Sequence, residues 1–566
     1  MLLAGMVQAQ DYPRIAPKEV TPIAPAPAVP ASPVPKAAGD KEVMLPKLKG
    51  LVFVAKPDQV VKSGVSTKGV TIKNVPVPDQ ADFEQLANKY LGAKLTHGDL
   101  NHLITDIILF YRQHDRPVVD VIVPEQDIAT GTVQLVVLEG QVAKVAVTGN
   151  RWFSSDEISD GISLKPGDEI RASQLQDDLD WINSNPFHSS TVIYHPGEKM
   201  GATDLELQTQ DRFPARIYGG YEDSGNAATG FDRYEAGVNW GDAFGIGQQL
   251  NYQYTTSGDG ESLRAHAGSY VIPLPWHNTL TFFGSYTDTK GNVPPLIGIT
   301  GHSYQISGRY SIPLPSLTCE DLGLRYKQSI AAGFDYKYNK NALEFGGLPS
   351  GGTLYDVDQF VISYNGALTD PYGQTTLDDE YYASPGRWGG NNNDAQFNAS
   401  HTMATSHYMY DTLTLERLTR LPGDWSLILR GTLQFSDANL APSEQLGFGG
   451  YDTVRGYDER EVNGDEGYIF TTELRTPSIS FGEIIGHPEF RDQLQLLGFW
   501  DYGAGYNHTL LPGEVSETPL SSIGAGLRYT INTYVSVRFD YGFQLLRTGF
   551  DNDHGSRSDL GVVVSY

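Results

Sequence analysis

The chain has 566 residues and a formal net charge of −27, which would repel a phosphate backbone, so nucleic-acid binding is not expected. The single cysteine, Cys319, excludes an internal disulfide and any zinc or iron–sulfur site built from cysteines. No stretch approaches the roughly 20 consecutive apolar residues of a membrane-spanning helix, whereas 61 Gly, 32 Tyr and 23 Phe are typical of a transmembrane β-barrel.

The first 46 residues show two patterns. Residues 1–10 read MLLAGMVQAQ, an apolar run that ends like a secretory cleavage site but has no basic n-region. We therefore expect a signal-peptide remnant over 1–10, with an ordinary N-terminus as the alternative. Residues 11–46 are rich in Ala, Pro and Val, a composition that favours extended polyproline structure, and they are predicted to be a linker.

Two consecutive regions, 47–140 and 141–212, show the same order of patterns: strand, helix, helix, strand, strand. The predicted helices span 81–91, 98–114 and 171–183, and a further one begins at Ser154. This order predicts two tandem α+β domains. With the Gly149-Asn150 turn in the second region, the arrangement resembles tandem POTRA domains, the periplasmic modules in front of outer-membrane polypeptide-translocating barrels.

From residue 213 to 566 the chain alternates apolar and polar residues in segments of about ten residues, which predicts a closed barrel of about 16 antiparallel strands. Charged residues such as Arg538 and Asp540 stand where the alternative fold, a soluble β-sandwich, would need an apolar interior. Long loops are expected at 287–301 and 339–354, among others, and short turns between them. The final residue, Tyr566, is an outward aromatic, as in C-terminal strands that the outer-membrane assembly machinery reads.

The long loop between the eleventh and twelfth predicted strands contains Val454-Arg455-Gly456-Tyr457, and a later strand carries an inward Asp501. Behind two POTRA-like units, this combination resembles the two-partner secretion transporters of the haemolysin-secretion type. The resemblance implies that the loop folds into the barrel and sets Arg455 against Asp501. A guanidinium can bind a carboxylate with two parallel hydrogen bonds, so such a pair would hold the loop. The alternative is an exposed Arg455 without a lasting partner.

Two other features bear on the resemblance. The turn that contains Asp242, Phe244 and Gly245 resembles a family feature, and it also fits an ordinary tight periplasmic turn. The region before the first POTRA-like unit departs from the family, whose members begin with a plug helix. It is proline-rich and shows no long amphipathic helix, since proline breaks helices.

The sequence shows no sign of an enzyme, a cofactor or a metal site. It lacks the Gly-x-Ser-x-Gly, P-loop, His-Glu-x-x-His and Gly-x-Gly-x-x-Gly patterns. His97 and His102 are five residues apart on a predicted helix, so they do not share a face as metal ligands would. We therefore expect no catalytic, cofactor-binding or metal-binding residues.

The resemblance implies a pore in the bacterial outer membrane, with its POTRA domains in the periplasm, that secretes a partner exoprotein by two-partner secretion. The POTRA domains would capture the unfolded exoprotein by β-augmentation. Outer-membrane lipids and the assembly machinery are the other expected partners. The alternative is an outer-membrane assembly or insertion factor of the same superfamily, although such factors usually carry more POTRA units. The sequence leaves open the cargo, the movement of the loop and the oligomeric state.

Overall fold

The computed structural model describes residues 12–23, 29, 42–293, 297–319, 322–345, 348–513, 516–548 and 555–566. The described residues form two compact units: those up to Thr21 together with Pro214–Tyr566, and those from Pro22 to Phe213. The predicted signal-peptide remnant over 1–10 lies outside the described residues. None of the helices in the described part of the chain is long and apolar enough to cross a lipid bilayer.

The chain begins with a short helix, α1 (Tyr12–Ile15), which belongs to the barrel unit. The next elements form the first α+β domain: β1 (Val43–Leu45), β2 (Gly50–Val54), a 3-10 turn (Pro57–Gln59), β3 (Gly69–Lys73), α2 (Gln80–Asn88), β4 (Leu95–Thr96), α3 (His97–Gln113), β5 (Val119–Ile122) and β6 (Thr132–Glu139). The main sheet has the order β3–β2–β6–β5, and β1 pairs with β4. The sequence pattern misses β1, β3 and β4; β1 and β4 are only three and two residues long.

Helix α3 forms the core of this domain because its apolar residues repeat on one face. Leu103, Ile107 and Tyr111 are buried against Phe53 and Phe83. The helix begins at a capping box, in which the Thr96 side chain accepts from the Asp99 N–H and the Asp99 carboxylate accepts from the Thr96 N–H. Both helices predicted for this domain are therefore present, with slightly different ends.

The second α+β domain has a three-stranded sheet with the order β7–β9–β8. Its elements are β7 (Gln141–Thr148), α4 (Ser155–Asp160), α5 (Ala172–Ile182), β8 (His188–Pro196) and β9 (Ala202–Asp211). Gly149 has a φ of 81°, and a Cβ there would meet the Thr209 carbonyl oxygen at 2.5 Å, so the turn after β7 requires glycine. The Asp211 carboxylate then accepts from the N–H groups of residues 151–153.

The barrel unit is a closed antiparallel barrel of 16 strands, β10 to β20 and β23 to β27. In chain order its elements are β10 (Ala215–Glu222), β11 (Arg233–Ala243), β12 (Gln248–Ser257), β13 (Leu263–Pro273), β14 (Thr279–Val293), β15 (Ile297–Cys319), β16 (Leu324–Phe345), β17 (Leu348–Asp370), β18 (Gly373–Pro385), α6 (Asp394–Ser400), β19 (His407–Arg420), a 3-10 turn (Pro422–Asp424), β20 (Ser426–Ser436), β21 (Leu446–Phe448), β22 (Val462–Gly464), β23 (Glu466–Arg475), α7 (Phe481–Ile484), a 3-10 turn (Pro488–Phe490), β24 (Asp492–Tyr506), β25 (Thr518–Ile531), β26 (Val535–Gln544) and β27 (Ser556–Ser565). The barrel closes where β10 pairs with β27.

Each strand separates an apolar outer face from a polar inner face. In β26, Tyr541 and Phe543 are exposed, whereas Asp540, which directly precedes Tyr541, is completely buried. Outward residues meet lipid and inward residues meet a wet lumen, which is the arrangement of a transmembrane barrel. The barrel predicted from the sequence, with an α+β region before it, is confirmed.

Two predicted loops are largely strand. The β14–β15 ladder continues beyond Lys290↔Thr300, and the β16–β17 ladder continues from Asn339↔Tyr355 to Phe345↔Leu348. Strand ends that rise above a bilayer have water on both faces, so the apolar alternation stops although the backbone ladder continues. The connection between β23 and β24, residues 476–491, contains α7 and a 3-10 turn.

The predicted linker over 11–46 differs from the structure at its beginning. Ile15 is buried in the barrel unit against inward residues of β13, namely Leu263, Ala265 and Ala267. Residues 12–21 therefore fill part of the barrel interior, with one helical turn and no long helix. The proline-rich composition predicted an extended linker, and it could not show that Ile15 is buried against the barrel wall.

Candidate functional site

Residues 437–465, which connect β20 to β23 and are called here the inward loop, fold back into the barrel. The strands β21 and β22 form a small ribbon within the loop, from Leu446↔Gly464 to Phe448↔Val462. Phe448, Val454 and Tyr457 are buried against Ile469 and Leu520 of the barrel. The loop is thus packed into the lumen like a core element.

Arg455 at the tip of the loop binds Asp501 of β24 with two parallel hydrogen bonds. Its Nε donates to Oδ2 at 2.8 Å and its Nη2 to Oδ1 at 2.9 Å, while the Arg455 backbone N–H donates to Oδ2 at 3.1 Å. The guanidinium also stands 3.5 Å from the ring centre of Phe499, two residues earlier on the same strand. This planar fork-to-carboxylate geometry is specific to arginine.

The pair belongs to a larger charge network. Arg455 Nη1 donates to Glu473 of β23 at 2.8 Å and lies 3.4 Å from Asp540 of β26. Arg528 and Arg538 also bind Asp540. With the pairs Arg475–Glu473 and Arg538–Asp452, four arginines face four carboxylates. The network is formally neutral, so each buried charge has a counter-charge.

The residues beside Arg455 let the loop come close to the wall. Gly456 has a φ of 91°, and a Cβ there would lie 2.9 Å from the backbone carbon of Gly542 in β26. The Tyr457 hydroxyl lies 2.8 Å from the Ser521 carbonyl oxygen and 2.6 Å from that of Leu546. We call residues 449–457 with these wall contacts the motif attachment.

The loop has a second attachment, which we call the Glu444 attachment and which comprises residues 439–446. The buried Glu444 carboxylate accepts from Lys337 Nζ at 2.9 Å, from Gln359 Nε2 at 3.0 Å and from the Tyr410 hydroxyl at 2.9 Å. Beside it, Leu440 and Ala441 pack into an apolar cluster with Tyr355, Val357, Phe397, Tyr408 and Tyr410. Here the loop contributes an anion, Glu444, whereas at the motif attachment it contributes the cation Arg455.

The other residues that the sequence singled out have local contacts. Asp242 Oδ1 accepts from the Gly247 N–H at 2.8 Å, and the Gly245 N–H donates to the Asp242 carbonyl oxygen at 3.2 Å. Phe244, at a φ of 65°, is exposed on this turn. The exposed Tyr566 exchanges backbone hydrogen bonds with Ile217, where the barrel closes. The structure thus brings together Arg455 and Asp501, and leaves the turn and the C-terminus as separate features.

Sequence reasoning missed several residues of the site. Glu473, Arg538 and Asp540 stood out only as inward charges, and the available signal was their inward position in the period-2 alternation of β23 and β26. No sequence pattern pointed to Glu444 or Lys337. In the described part of the chain, no group of three or more His, Cys, Asp or Glu residues could hold a metal ion.

Comparisons with known proteins agree on one family. The family "Haemolysin secretion/activation protein ShlB/FhaC/HecB" matches residues 201–529, and the family "POTRA domain, ShlB-type" matches residues 65–140. The heme/hemopexin transporter protein HuxB of Haemophilus influenzae is 24% identical over 81% of this chain and 80% of its own. The outer membrane transporter CdiB of Dickeya dadantii is 22% identical over 76% and 74%. The solved structure of CdiB from Escherichia coli has a TM-score of 0.73 at 17% identity, over 95% of this chain and 94% of that one.

Proposed function

The chain belongs to the haemolysin secretion/activation protein family of outer-membrane translocators in two-partner secretion, and we propose that it exports one large partner exoprotein. Its barrel is in the outer membrane and its POTRA region is in the periplasm. The observation that carries the mechanism is the charge network that holds the inward loop in the lumen. Residues 454–457 and Asp501 act in it as structural parts, and no catalytic step is involved.

We assign residues 47–140 and 141–212 as two POTRA domains that receive the unfolded exoprotein. The two domains contact each other directly: Arg116 pairs with Glu169 at 3.6 Å, and the Ser173 N–H donates to Asp115 at 2.7 Å, while Glu139 of the same domain holds Arg116 at 3.1 Å. Burial raises the pKa of the Glu139 carboxyl, and Arg116 opposes this rise. These contacts support a fixed presentation of the two sheets to one cargo chain.

The edge strand β8 is the best candidate for capture. In the described part of the chain it pairs with β9 alone, and its Ile193 side chain is exposed. An extended exoprotein segment would add to β8 as a further strand, with backbone hydrogen bonds that do not depend on sequence. An unfolded cargo of varied sequence needs such contacts.

The inward loop determines how much open space remains inside the barrel. Between the loop, the N-terminal segment and the wall from β14 to β20, a cavity of about 620 Å³ remains. The loop fills space that a passing polypeptide needs, so export includes a shift of the loop. Separating Arg455 from Asp501 would leave a buried charge without a partner, at a cost of about 3–5 kcal/mol. Since the sequence has no P-loop, folding of the cargo outside the cell is the proposed driving force.

The test compares secreted and outer-membrane proteomes of cells with the gene deleted, restored, or restored as Arg455→Ala at matched barrel abundance. We expect one large exoprotein to disappear from the medium on deletion, to return with the wild type and to return poorly with Arg455→Ala. The matched control is Arg430→Ala, which breaks only the more exposed pair with Glu416.

A broad fall in many outer-membrane barrels, without one missing exoprotein, would contradict the proposal. It would favour the alternative, an assembly or insertion factor. Equal export by Arg455→Ala and the wild type would leave secretion intact and remove the role proposed for the charge network.

A further inference from the structure

The N-terminal segment Tyr12–Glu19 lies on the barrel wall formed by β10 to β13, and this wall binds it as a peptide. Lys18 extends its ammonium group between two carboxylates, 2.5 Å from Glu222 and 3.3 Å from Glu235. Ile15, three residues earlier, fills the pocket of Leu263, Ala265 and Ala267. The wall therefore recognises an aliphatic residue followed after two positions by a lysine.

Between these two side-chain sites the wall binds the backbone. The Lys18 N–H donates to the Tyr218 hydroxyl at 2.9 Å, and the Lys18 carbonyl oxygen accepts from Asn239 Nδ2 at 3.2 Å. Gln253 Nε2 donates to the Ile15 carbonyl oxygen at 3.3 Å, and Gln253 Oε1 accepts from Tyr218 at 2.7 Å. Such contacts are available to any peptide of the same pattern, because they use only main-chain atoms.

The polar groups of this wall are buried and need a bound peptide as their partner. Gln253 is fully buried and Glu235 is 6% exposed, and Oε2 of Glu235 has no hydrogen-bond partner among the described residues. Without an ammonium group between them, Glu222 and Glu235 would be two like charges in a partly dry wall. Release of the segment is therefore favoured only when another cation replaces Lys18.

We propose that this wall is a binding subsite for extended polypeptide with an aliphatic-x-x-lysine pattern, which the N-terminal segment occupies as an internal competitor of the exported chain. This inference rests on the proposed function, since the exported exoprotein supplies the competing peptide. Arg14 links the competitor to the inward loop through an ion pair with Glu459. Exchange of the segment for cargo thus removes one of the loop's own contacts.

The experiment uses the purified full-length chain in detergent and two fluorescent peptides. One has the sequence of residues 12–19, and the other differs only by Lys18→Glu. The chain variant Lys18→Glu expels its own segment, and tryptic cleavage at Arg14 reports the expulsion. We expect the lysine peptide to bind this variant about 30-fold more tightly than the glutamate peptide, as for a lost buried charge pair. The preference should disappear when Glu222→Gln and Glu235→Gln are added.

The matched control is Glu19→Gln, because Glu19 accepts from Arg216 through its carbonyl oxygen only and its side chain is exposed. This variant should keep its segment and bind neither peptide. Equal binding of both peptides to the Lys18→Glu chain, or binding of neither after expulsion, would overturn the subsite. If Lys18→Glu and Ile15→Asp together fail to expel the segment, these contacts do not hold it and the proposal is also overturned.

A second measurement connects the subsite to export. Glu222→Gln with Glu235→Gln, at matched barrel abundance, should lower export of the partner exoprotein severalfold, and unchanged export would contradict a role in transit. The peptide measurement needs no exoprotein. If the proteome comparison shows no exported partner while the peptides still discriminate, the proposed function fails and the binding site stands.

Discussion

The two attachments of the inward loop hold it with opposite charges. At the motif attachment the loop brings a cation, Arg455, to a wall of carboxylates that includes Asp501. At the Glu444 attachment the loop brings an anion to a wall of donors that includes Lys337. A loop that slid along the wall would separate Arg455 from Asp501 and Glu444 from Lys337 at the same time. The opposite charges therefore fix the register of the loop as well as its position.

The attachments also differ in how they respond to the loss of one residue. The motif attachment is a network of four arginines and four carboxylates, so the loss of one arginine leaves a net negative charge on several groups. At the Glu444 attachment the carboxylate forms an ion pair with Lys337, and its Gln359 and Tyr410 donors are neutral. We therefore expect the motif attachment to be the stronger and the more sensitive of the two.

Arg455→Ala should have the largest effect, because it leaves Asp501 buried without its counter-charge at a cost of about 3–5 kcal/mol. The motif attachment should open and the conductance of the purified protein in planar bilayers should rise. The double variant Arg455→Ala with Asp501→Ala should raise the conductance less than Arg455→Ala alone, since no buried carboxylate is left without a counter-charge. Equal conductance of the single variant, the double variant and the Arg430→Ala control would show that the pair does not hold the loop.

The two attachments also differ in how far the sequence could predict them. The resemblance to two-partner secretion transporters implied Asp501 as the partner of Arg455, and the alternation of its strand placed Asp501 inward. Glu444 and Lys337 are 107 residues apart, and Glu444 and Gln359 are 85 apart, so no local pattern connects them. They meet only once the barrel closes. The ends of strands β14 to β17 were predicted as loops for a different reason, since water on both faces removes the apolar alternation there.

Glu444→Gln should loosen the Glu444 attachment and leave the motif attachment closed. The amide keeps the neutral neighbours but removes the negative charge that binds Lys337, at a cost of about 2 kcal/mol for charged hydrogen bonds. Hydrogen exchange should increase over residues 439–446 and stay unchanged over 449–457. Ser443→Ala is the control, because Ser443 Oγ donates to the same carboxylate at 2.8 Å without carrying charge. Increased exchange over both regions would mean that the two attachments open together.

Gly456→Ala tests whether the steric contact with the barrel wall or the left-handed backbone conformation makes this glycine necessary. Gly456 has a φ of 91° and its Cβ would meet the Gly542 backbone, whereas Gly513 has a φ of 92° and open space around its Cβ. We expect Gly456→Ala to lower the free energy of unfolding by about 1–3 kcal/mol, because of left-handed strain and displacement of the loop. Gly513→Ala should lower it less. The midpoint of heat-induced barrel unfolding on a gel measures both. Equal shifts would show that conformation alone sets the cost.

Tyr457→Phe should have the smallest effect. The ring keeps its place in the apolar cluster, and only the hydroxyl beside the Ser521 and Leu546 carbonyl oxygens is lost. The hydroxyl also accepts from the Ser521 N–H at 3.2 Å, and neutral hydrogen bonds contribute about 1 kcal/mol each, so the gel midpoint should fall slightly while the conductance stays low. Tyr234→Phe, on the exposed outer face, should change neither. If Tyr457→Phe opened the channel as far as Arg455→Ala, the hydroxyl would be the critical contact, and opposite charge would not explain how the loop is held.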